Sequence, residues 1–490
     1  MTDLLWGIIL ALALAVPLLA HRVASQLGRG AVAVMSPILG FAIFWWLGYP
    51  LKAALLRWGL VITQTEWTPR QSMLLQSVGL SAIFMLAILY GAARAYHSFP
   101  AGRHDGVGRL ESASWRRAML FLACCLLLSL YTLTQTVWID FTFRSWKPYE
   151  QNWARYGKGW LFFWAGGWIY AGIAVLSGFL VCKNGLPRRA TGAMAVLVGI
   201  LFVWSFVVGL AFASRRMMFA IMLATMVVVT IIYHRKNALR LSLAAAWIIC
   251  LAPLAAAGPL DAVRYLWMDV QEIAGPEVSG PEASGPEASG PEVSGPEVTQ
   301  RRLWLKQEHY HLWLALQSLA SSFEGAEHLA RYIELGGTKS ILWGVDMGQS
   351  WLFNAGLALL PRQLWPSKPV DAGSVAQQCW LWPGSCPATR RDVAYLPPGF
   401  AVDFLFGFGV LGAMVLALAT GWFLGVIHRN MWYGASPWSI SVSLLTYVYL
   451  FNLVRGGTAF LQMLIIMVVL STMTWGIPRR PSGSSSLEPG

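Results

Sequence analysis

The chain has 490 residues, of which 56% are hydrophobic and only 12% are charged. Soluble domains carry about 25% charged residues, so this composition excludes an ordinary soluble enzyme, a disordered chain and a small disulfide-stabilised secreted domain. The formal net charge of +13 does not indicate nucleic-acid binding, because no long basic run or RNA-binding motif accompanies it. The composition is typical of a polytopic membrane protein, in which Lys and Arg collect in short loops.

Long apolar runs predict an all-α fold with about eleven transmembrane helices, since some 20 apolar residues in a helix cross a ~30 Å hydrocarbon core. We predict these helices at about 3–20, 31–49, 72–93, 118–138, 159–182, 191–213, 217–233, 241–258, 399–425, 437–454 and 458–476. The first eight helices form a region 1–258, the last three form a region 399–476, and residues 477–490 are a predicted disordered tail. Basic residues are more frequent in the loops after the odd-numbered helices, which predicts that these loops are cytoplasmic and that the N-terminus lies outside.

The one large hydrophilic region, 259–398, is therefore a predicted outer loop. Residues 274–298 repeat a pentapeptide of the type SGPEA, whose regular Pro and Gly exclude a helix, so we interpret them as a flexible acidic linker. Residues 301–335 have helical spacing but are too polar to span, and 349–360 form a short apolar segment that ends at Pro361. We expect both to be amphipathic helices that lie on the outer face or dip into it.

Several common kinds of site are missing from the sequence. There is no Walker A motif and no DxD motif. The string GFGVLG at 407–412 lies inside an apolar run, so it predicts close helix packing through small residues and not a dinucleotide site. The pair His309 and His311 has no third ligand at a useful spacing, so we predict no metal and no cofactor. Cys379 and Cys386, in CWLWPGSC of the outer loop, are a predicted disulfide if that loop lies in an oxidising compartment.

Tryptophans fall into two groups with different interpretations. Trp45 and Trp46 close the second predicted helix and are typical of an interfacial aromatic belt. Five others lie in the large loop, where they either stack against sugar rings or pack the loop on the membrane: Trp343, Trp351, Trp365, Trp380 and Trp382.

Outward-facing basic residues are the unusual feature of the predicted topology. Arg215 and Arg216 join helices six and seven, Arg455 joins helices ten and eleven, and Arg362 and Lys368 lie in LPRQLWPSKP of the large loop. One interpretation is that they snorkel to lipid headgroups. The other is a clamp of guanidinium groups for phosphate oxygens, which Arg binds in a bidentate manner.

A diphosphate at a membrane surface indicates a lipid-linked sugar, whose anionic leaving group needs charge stabilisation. The attacking hydroxyl needs a base or a hydrogen-bond acceptor. On the outer side, the candidates are Glu308, His309, His311 and Asp403. Asp403 lies near the outer end of helix nine, where its alternative role is a structural ion pair with one of the arginines.

The chain resembles bacterial oligosaccharide repeat-unit polymerases, the O-antigen polymerase family. The resemblance lies in the late outer loop and in four strings: ASRRMMFAIML at 213–223, LPRQLWPSKP at 360–369, YLPPGFAVDFLFGFGVLG at 395–412 and VRGG at 454–457. It implies a glycosyltransferase-C-like fold in the bacterial inner membrane. It also implies metal-independent transfer of a growing glycan from undecaprenyl diphosphate to the next lipid-linked repeat unit at the periplasmic face, with a chain-length regulator as a candidate protein partner.

The resemblance also assigns roles to particular residues. Outer-loop arginines are the functional residues of the family, which carries over to Arg215 or Arg216, to Arg362 and Arg455, and more weakly to Lys368. The family pattern often has an acid where Asp403 stands.

Two other functions remain open from the sequence. An O-antigen ligase shares the donor and the arginine clamp but hands the glycan to lipid A-core, and a histidine such as His309 or His311 in the outer loop favours it. A transporter for the lipid-linked unit is less consistent with the sequence, because the predicted spans are nearly free of charge and no matching halves are evident.

Overall fold

The structure is a computed structural model that describes part of the chain. The described residues are 2–28, 30–61, 67, 69–98, 112–136, 169–178, 192–193, 196–201, 203–204, 224, 227–228, 230–231, 316, 325–355, 365, 374–383, 399–434, 436–455 and 457–476. Within these residues every regular element is helical.

The helices follow one another in chain order as follows: α1 Thr2–Ala13, α2 Ala15–Ala24, α3 Ala31–Val34, α4 Pro37–Trp46, α5 Lys52–Arg57, α6 Gln71–Ser98, α7 Ser112–Thr136, α8 Ile169–Gly178, α9 Gly325–Trp343, α10 Gln349–Ala355, α11 Ser374–Leu381, α12 Phe400–Tyr433, α13 Pro437–Val448, α14 Leu450–Arg455 and α15 Gly457–Trp475. A π-helical turn, Leu47–Leu51, joins α4 to α5.

Five helical segments in the described part are long and apolar enough to cross a membrane: Asp3–Ala24, Pro37–Arg57, Gln71–Ser98, Ser114–Tyr131 and Phe400–Tyr433. They fall where predicted helices one to four and nine were placed, so the chain is a helical membrane protein. Two shorter apolar helices, Ile169–Gly178 and Leu464–Trp475, lie inside predicted helices five and eleven. The total of eleven spans and the side on which each loop lies stay predictions.

The packing of α6 against α12 is the most extensive helix contact in the described part. Small residues make it possible, because a Cβ at Gly91 would overlap the Leu418 carbonyl and a Cβ at Gly421 would overlap the Ile88 carbonyl. Gly425 likewise faces Ala95. Such close backbone approach is how membrane helices associate when lipid and side chain are equally apolar.

At one end of the bundle, a buried histidine ties three segments together. His428 on α12 places Nε2 at 2.8 Å from the Val32 carbonyl and Nδ1 at 2.6 Å from the Tyr96 hydroxyl. A carbonyl only accepts, so Nε2 carries the proton, and Nδ1 of the neutral ring accepts from Tyr96. Ser36, which also caps α4 through its bond from the Ile38 N–H, lies 3.3 Å from Nδ1.

Two predictions about the second span are wrong, namely the position of its end and the role of Trp45. The second span does not end at residue 49 but continues to Arg57, because the π-helical turn accommodates Pro50, which has no N–H to donate. Trp45 is not part of an interfacial belt: it is fully buried, and its Nε1 donates to the Ser81 hydroxyl at 3.1 Å.

The ninth predicted span is longer than expected and is kinked. α12 continues to Tyr433, eight residues past the predicted end at 425, and at Gly409 the backbone leaves helical geometry with φ 61° and ψ −173°. The kink frees the Phe406 carbonyl, which accepts from Val345 N–H at 2.6 Å, and the Leu405 carbonyl, which accepts from the Tyr332 hydroxyl at 3.2 Å. The small-residue packing predicted for 407–412 is confirmed, and the break in the helix is an addition to it.

α9 comes from the large hydrophilic region and packs into the bundle against α6 and α12. The helix predicted to end near 335 extends through Gly336 and Gly337 to Trp343. Ala326, Leu329 and Ala330 are fully buried. The segment is therefore part of the core of the bundle and not a helix resting on its surface.

Candidate functional site

The beginning of α9 meets the beginning of α12 on the ring of Tyr49. A Cβ at Gly325 would lie 2.6 Å from the Tyr49 ring, and a Cβ at Gly399, whose φ is +85°, would lie 2.7 Å from its hydroxyl. The Tyr49 hydroxyl accepts a hydrogen bond from the Ala401 N–H at 3.3 Å. Both glycines are therefore needed for this junction, and they bring the large hydrophilic region onto the π-helical turn.

A buried ion pair lies beside this junction. Lys52 Nζ of α5 is 3.3 Å from Glu327 Oε2 of α9, and their side chains are 1% and 0% exposed. Removing two charges from water costs several kcal/mol per ion, and mutual attraction roughly offsets that cost, so such a pair is weak evidence for stability. The pair does fix which face of α9 meets α5, since any other rotation would bury one charge without its partner.

Asp403 lies on the segment of α12 before the kink, and its side chain is fully buried. Phe400, Val402 and Phe404 around it are also fully buried. The backbone carbonyl of Asp403 accepts from Trp351 Nε1 at 3.2 Å, and its carboxyl is close enough to Tyr49 for an electrostatic interaction. A carboxylate on an apolar helix is costly in lipid, and here protein encloses it instead.

Two tryptophans, Trp382 after α11 and Trp67 before α6, pack around Arg331 of α9 at this end of the bundle. The guanidinium of Arg331 lies 5.3 Å from the ring centre of Trp382 and 5.5 Å from that of Trp67. Arg331 also binds Glu334 at 2.6 Å and lies 3.4 Å from the Leu381 carbonyl. Arg331 thus fastens α11 to α9 through cation–π and hydrogen-bond contacts.

Three of the loop tryptophans whose role the sequence left open pack against other aromatic residues of the protein. Trp380 lies against Tyr332 and Phe406, Trp351 lies against Phe404, and Trp382 is buried beside Trp67 and the ring of His328. Trp343, by contrast, is exposed. These contacts favour loop packing over sugar stacking for the first three.

Two further polar side chains are buried at this end of the bundle, the Tyr332 phenol and the Gln377 amide. Burial raises the pKa of the Tyr332 phenol, and the nearby Asp346 carboxylate raises it further, so this hydroxyl stays protonated and donates to the Ser340 and Leu405 carbonyls. Gln377 on α11 is fully buried, and neither atom of its amide has a hydrogen-bond partner in the part of the chain that the structure describes. A buried amide without partners is costly, which makes Gln377 a polar group of interest.

The structure places three of the predicted site residues. Asp403 lies in the cluster just described. Arg455 is the last described residue of α14, a helix that packs against α4 and α12, and α15 begins at Gly457. Cys379 on α11 is disulfide-bonded, while its predicted partner, Cys386, lies outside the described residues.

The other predicted site residues also lie outside the described residues: Arg215, Arg216, Glu308, His309, His311, Arg362 and Lys368. The pentapeptide linker 274–298 and the tail 477–490 are outside them as well. In the described part, no group of three or more His, Cys, Asp or Glu could hold a metal ion.

Sequence reasoning missed Tyr49, Lys52, Glu327 and Gln377. Lys52 and Glu327 are charged residues beside apolar runs, where solvent exposure is the ordinary expectation. Two signals could have found the pair: a lysine three residues beyond a predicted span, and a glutamate on the apolar side of the α9 pattern.

Comparison with known proteins identifies no relative. The chain matches no protein-family model, and neither the curated proteins nor the solved structures contain a match.

Proposed function

We propose that the chain is a membrane glycosyltransferase that polymerises undecaprenyl-diphosphate-linked oligosaccharide repeat units at the periplasmic face of the bacterial inner membrane. The product is O-antigen or a related surface polysaccharide. One observation carries the proposal: a helix of the large hydrophilic region packs into one end of the bundle, beside the fully buried carboxyl of Asp403. The diphosphate head of a lipid-linked substrate lies at the membrane surface, and the ends of a membrane-spanning bundle lie at that surface as well.

In the proposed reaction, a hydroxyl of the incoming repeat unit attacks C1 of the sugar that is linked to undecaprenyl diphosphate. The new glycosidic bond forms as the bond from C1 to the diphosphate oxygen breaks, and the lipid diphosphate leaves as an anion. The proton of the attacking hydroxyl passes to the Asp403 carboxylate, which acts as the general base. Glu308, His309 and His311 are the alternative bases.

Arginines stabilise the leaving diphosphate in this proposal, because a guanidinium stays charged and matches phosphate geometry. Arg455 is supported by its position at the end of α14, a helix that packs on the helix carrying Asp403. Arg215 or Arg216, Arg362 and Lys368 are proposed from the sequence alone.

The distribution of buried charge favours this function over transport. The buried Lys, Asp and Glu side chains of the described part are Lys52, Glu327 and Asp403. They lie on α5, at the beginning of α9 and at the beginning of α12, three segments that adjoin Tyr49 at one end of the bundle. Transporters instead place charges along a central pathway near the middle of the membrane.

The test is complementation of a deletion strain, with the surface glycan separated on a gel. Deletion is expected to collapse the ladder to a single capped repeat, and Asp403→Asn or Arg455→Ala at normal protein level is expected to do the same. Asp346→Asn is the matched control, because that carboxyl accepts from the N–H groups at the start of α10 and Asn also caps helices well. The control is expected to keep a normal ladder.

Two outcomes would contradict the proposed function, and a third would change the residue proposed as its base. Loss of all glycan with accumulation of lipid-linked polymer would indicate a ligase. An unchanged ladder in the deletion strain would exclude polymerisation as the function. A normal ladder with Asp403→Asn would remove Asp403 as the base and leave Glu308, His309 and His311.

A further inference from the structure

The turn between α9 and α10, residues 342–352, presents large apolar side chains to the outside of the protein. Met347 is 83% exposed, Leu352 is 72% exposed and Trp343 is 68% exposed. From Ser340 to Ala355 the chain contains a single ionisable residue, Asp346. Monomeric soluble proteins rarely leave such an apolar surface in water, and one that persists marks a protein or membrane contact.

Several polar groups of this turn are paired with partners inside the protein. The Asp346 carboxylate accepts from the Gly348 and Ser350 N–H groups, both at 3.0 Å, and from the Ser350 hydroxyl. The N–H groups of Val345 and Asp346 donate to the Phe406 carbonyl that the kink in α12 frees. Non-helical backbone tolerates the membrane only when its polar groups are paired with protein in this way.

The attachment to α12 indicates the depth of the turn in the membrane. A Cβ at Gly409 would overlap the Leu342 carbonyl, so the turn sits directly on the kink. From Gly409 to Tyr433, α12 rises about 36 Å, at 1.5 Å per residue, which is enough to cross a ~30 Å hydrocarbon core by itself. The kink therefore lies close to one boundary between headgroups and acyl chains.

The exposed apolar surface of the turn continues onto that of the spanning helix. Leu411 and Val415, immediately after the kink, are 71% and 65% exposed, and on a membrane-spanning helix such residues face lipid. The backbone of Leu342 and Trp343 contacts Gly409, two residues before Leu411. The turn thus extends the lipid-facing surface of α12.

We propose that the α9–α10 turn is inserted into the bilayer, with Trp343, Met347 and Leu352 against lipid at the boundary of headgroups and acyl chains. Trp suits this level because its ring is apolar and its N–H is polar. The insertion anchors α9, and with it Glu327, at a fixed height in the membrane. This inference does not depend on the proposed function.

The test places a photoreactive residue in the full-length chain, reconstituted in vesicles of phosphatidylethanolamine and phosphatidylglycerol. Met347→benzoylphenylalanine is the test variant, and the same change at Leu352 is a second variant in case the first does not fold. Leu411 is the positive control on the lipid face of α12, and Gln26, an exposed polar residue between α2 and α3, is the negative control. Irradiation is followed by mass spectrometry of the intact chain and its peptides.

The expected result is a phospholipid mass shift at residue 347 or 352 comparable with that at Leu411, and none at Gln26. A crosslink from 347 and 352 to a second copy of the chain would show that the turn is a protein interface and would overturn the proposal. So would the absence of lipid adducts at both positions while Leu411 gives them, because the turn would then face water.

Discussion

The buried Lys52–Glu327 pair makes a quantitative prediction about the stability of the bundle. Glu327→Gln keeps the size of the side chain but removes the negative charge that lies 3.3 Å from the Lys52 ammonium, which is 1% exposed. Lys52→Met leaves the carboxylate of Glu327 in the same position. Loss of one member of a buried pair costs about 3–5 kcal/mol, since the remaining charge keeps its desolvation penalty.

The double variant Lys52→Met/Glu327→Leu should recover that loss. Replacement of both charges by apolar side chains of similar volume is often neutral, or stabilising by about 1–4 kcal/mol. We therefore expect the double variant to be at least about 3 kcal/mol more stable than either single variant. The two effects are far from additive because the residues are in direct contact.

The measurement is the free energy of unfolding of the purified chain in mixed micelles, titrated with a denaturing detergent and followed by tryptophan fluorescence. Glu334→Gln is a matched control on the same helix, because its partner Arg331 is about a fifth exposed. A pair of this kind contributes under about 1 kcal/mol. The reasoning is refuted if Glu327→Gln costs no more than Glu334→Gln, or if the double variant is no more stable than the single ones.

Three further predictions concern single contacts. Gly409→Ala should lower the free energy of unfolding by at least ~1–3 kcal/mol, because alanine is strained at the φ of 61° found there. Gly79→Ala, which has open space around it, should raise that free energy by about 0.5–1 kcal/mol. Equal effects of the two changes in the same titration would contradict the kink at Gly409. Tyr96→Phe should lower the free energy of unfolding by about 1–3 kcal/mol, because it removes the hydroxyl that donates to Nδ1 of the buried His428. A loss well below about 1 kcal/mol would show that the Ser36 hydroxyl alone satisfies Nδ1. Peptide mapping without reduction should recover Cys379 joined to Cys386, and recovery of Cys379 joined to another cysteine would disprove that pairing.

Local pattern was sufficient to predict the five long apolar helical segments of the described part. Helices α1–α2, α4, α6, α7 and α12 stand where uninterrupted apolar runs place them, because the cost of unpaired backbone in lipid leaves the helix as the available structure for such a run. Boundaries were less reliable where a polar residue adjoins an apolar run, as at Lys52.

The candidate site was only partly predictable. Asp403 was identified from the sequence, because an isolated carboxyl at the start of an apolar run is unusual. Glu327 was not, since its partner lies 275 positions away in the chain. A local sequence pattern does not predict which charged residues will form a buried pair between two helices that are far apart in the chain.

By itself, the sequence determined that this chain is a helical membrane protein with one large hydrophilic region, because hydropathy is a property of each segment alone. Only the tertiary structure decided that α9 packs inside the bundle, that Trp45 is a core residue, and that α12 bends at Gly409. Each of these depends on a neighbour from a distant part of the chain: Ser81 for Trp45, and the Leu342 carbonyl for Gly409. Such contacts arise when helices of remote sequence meet, and no local pattern records them.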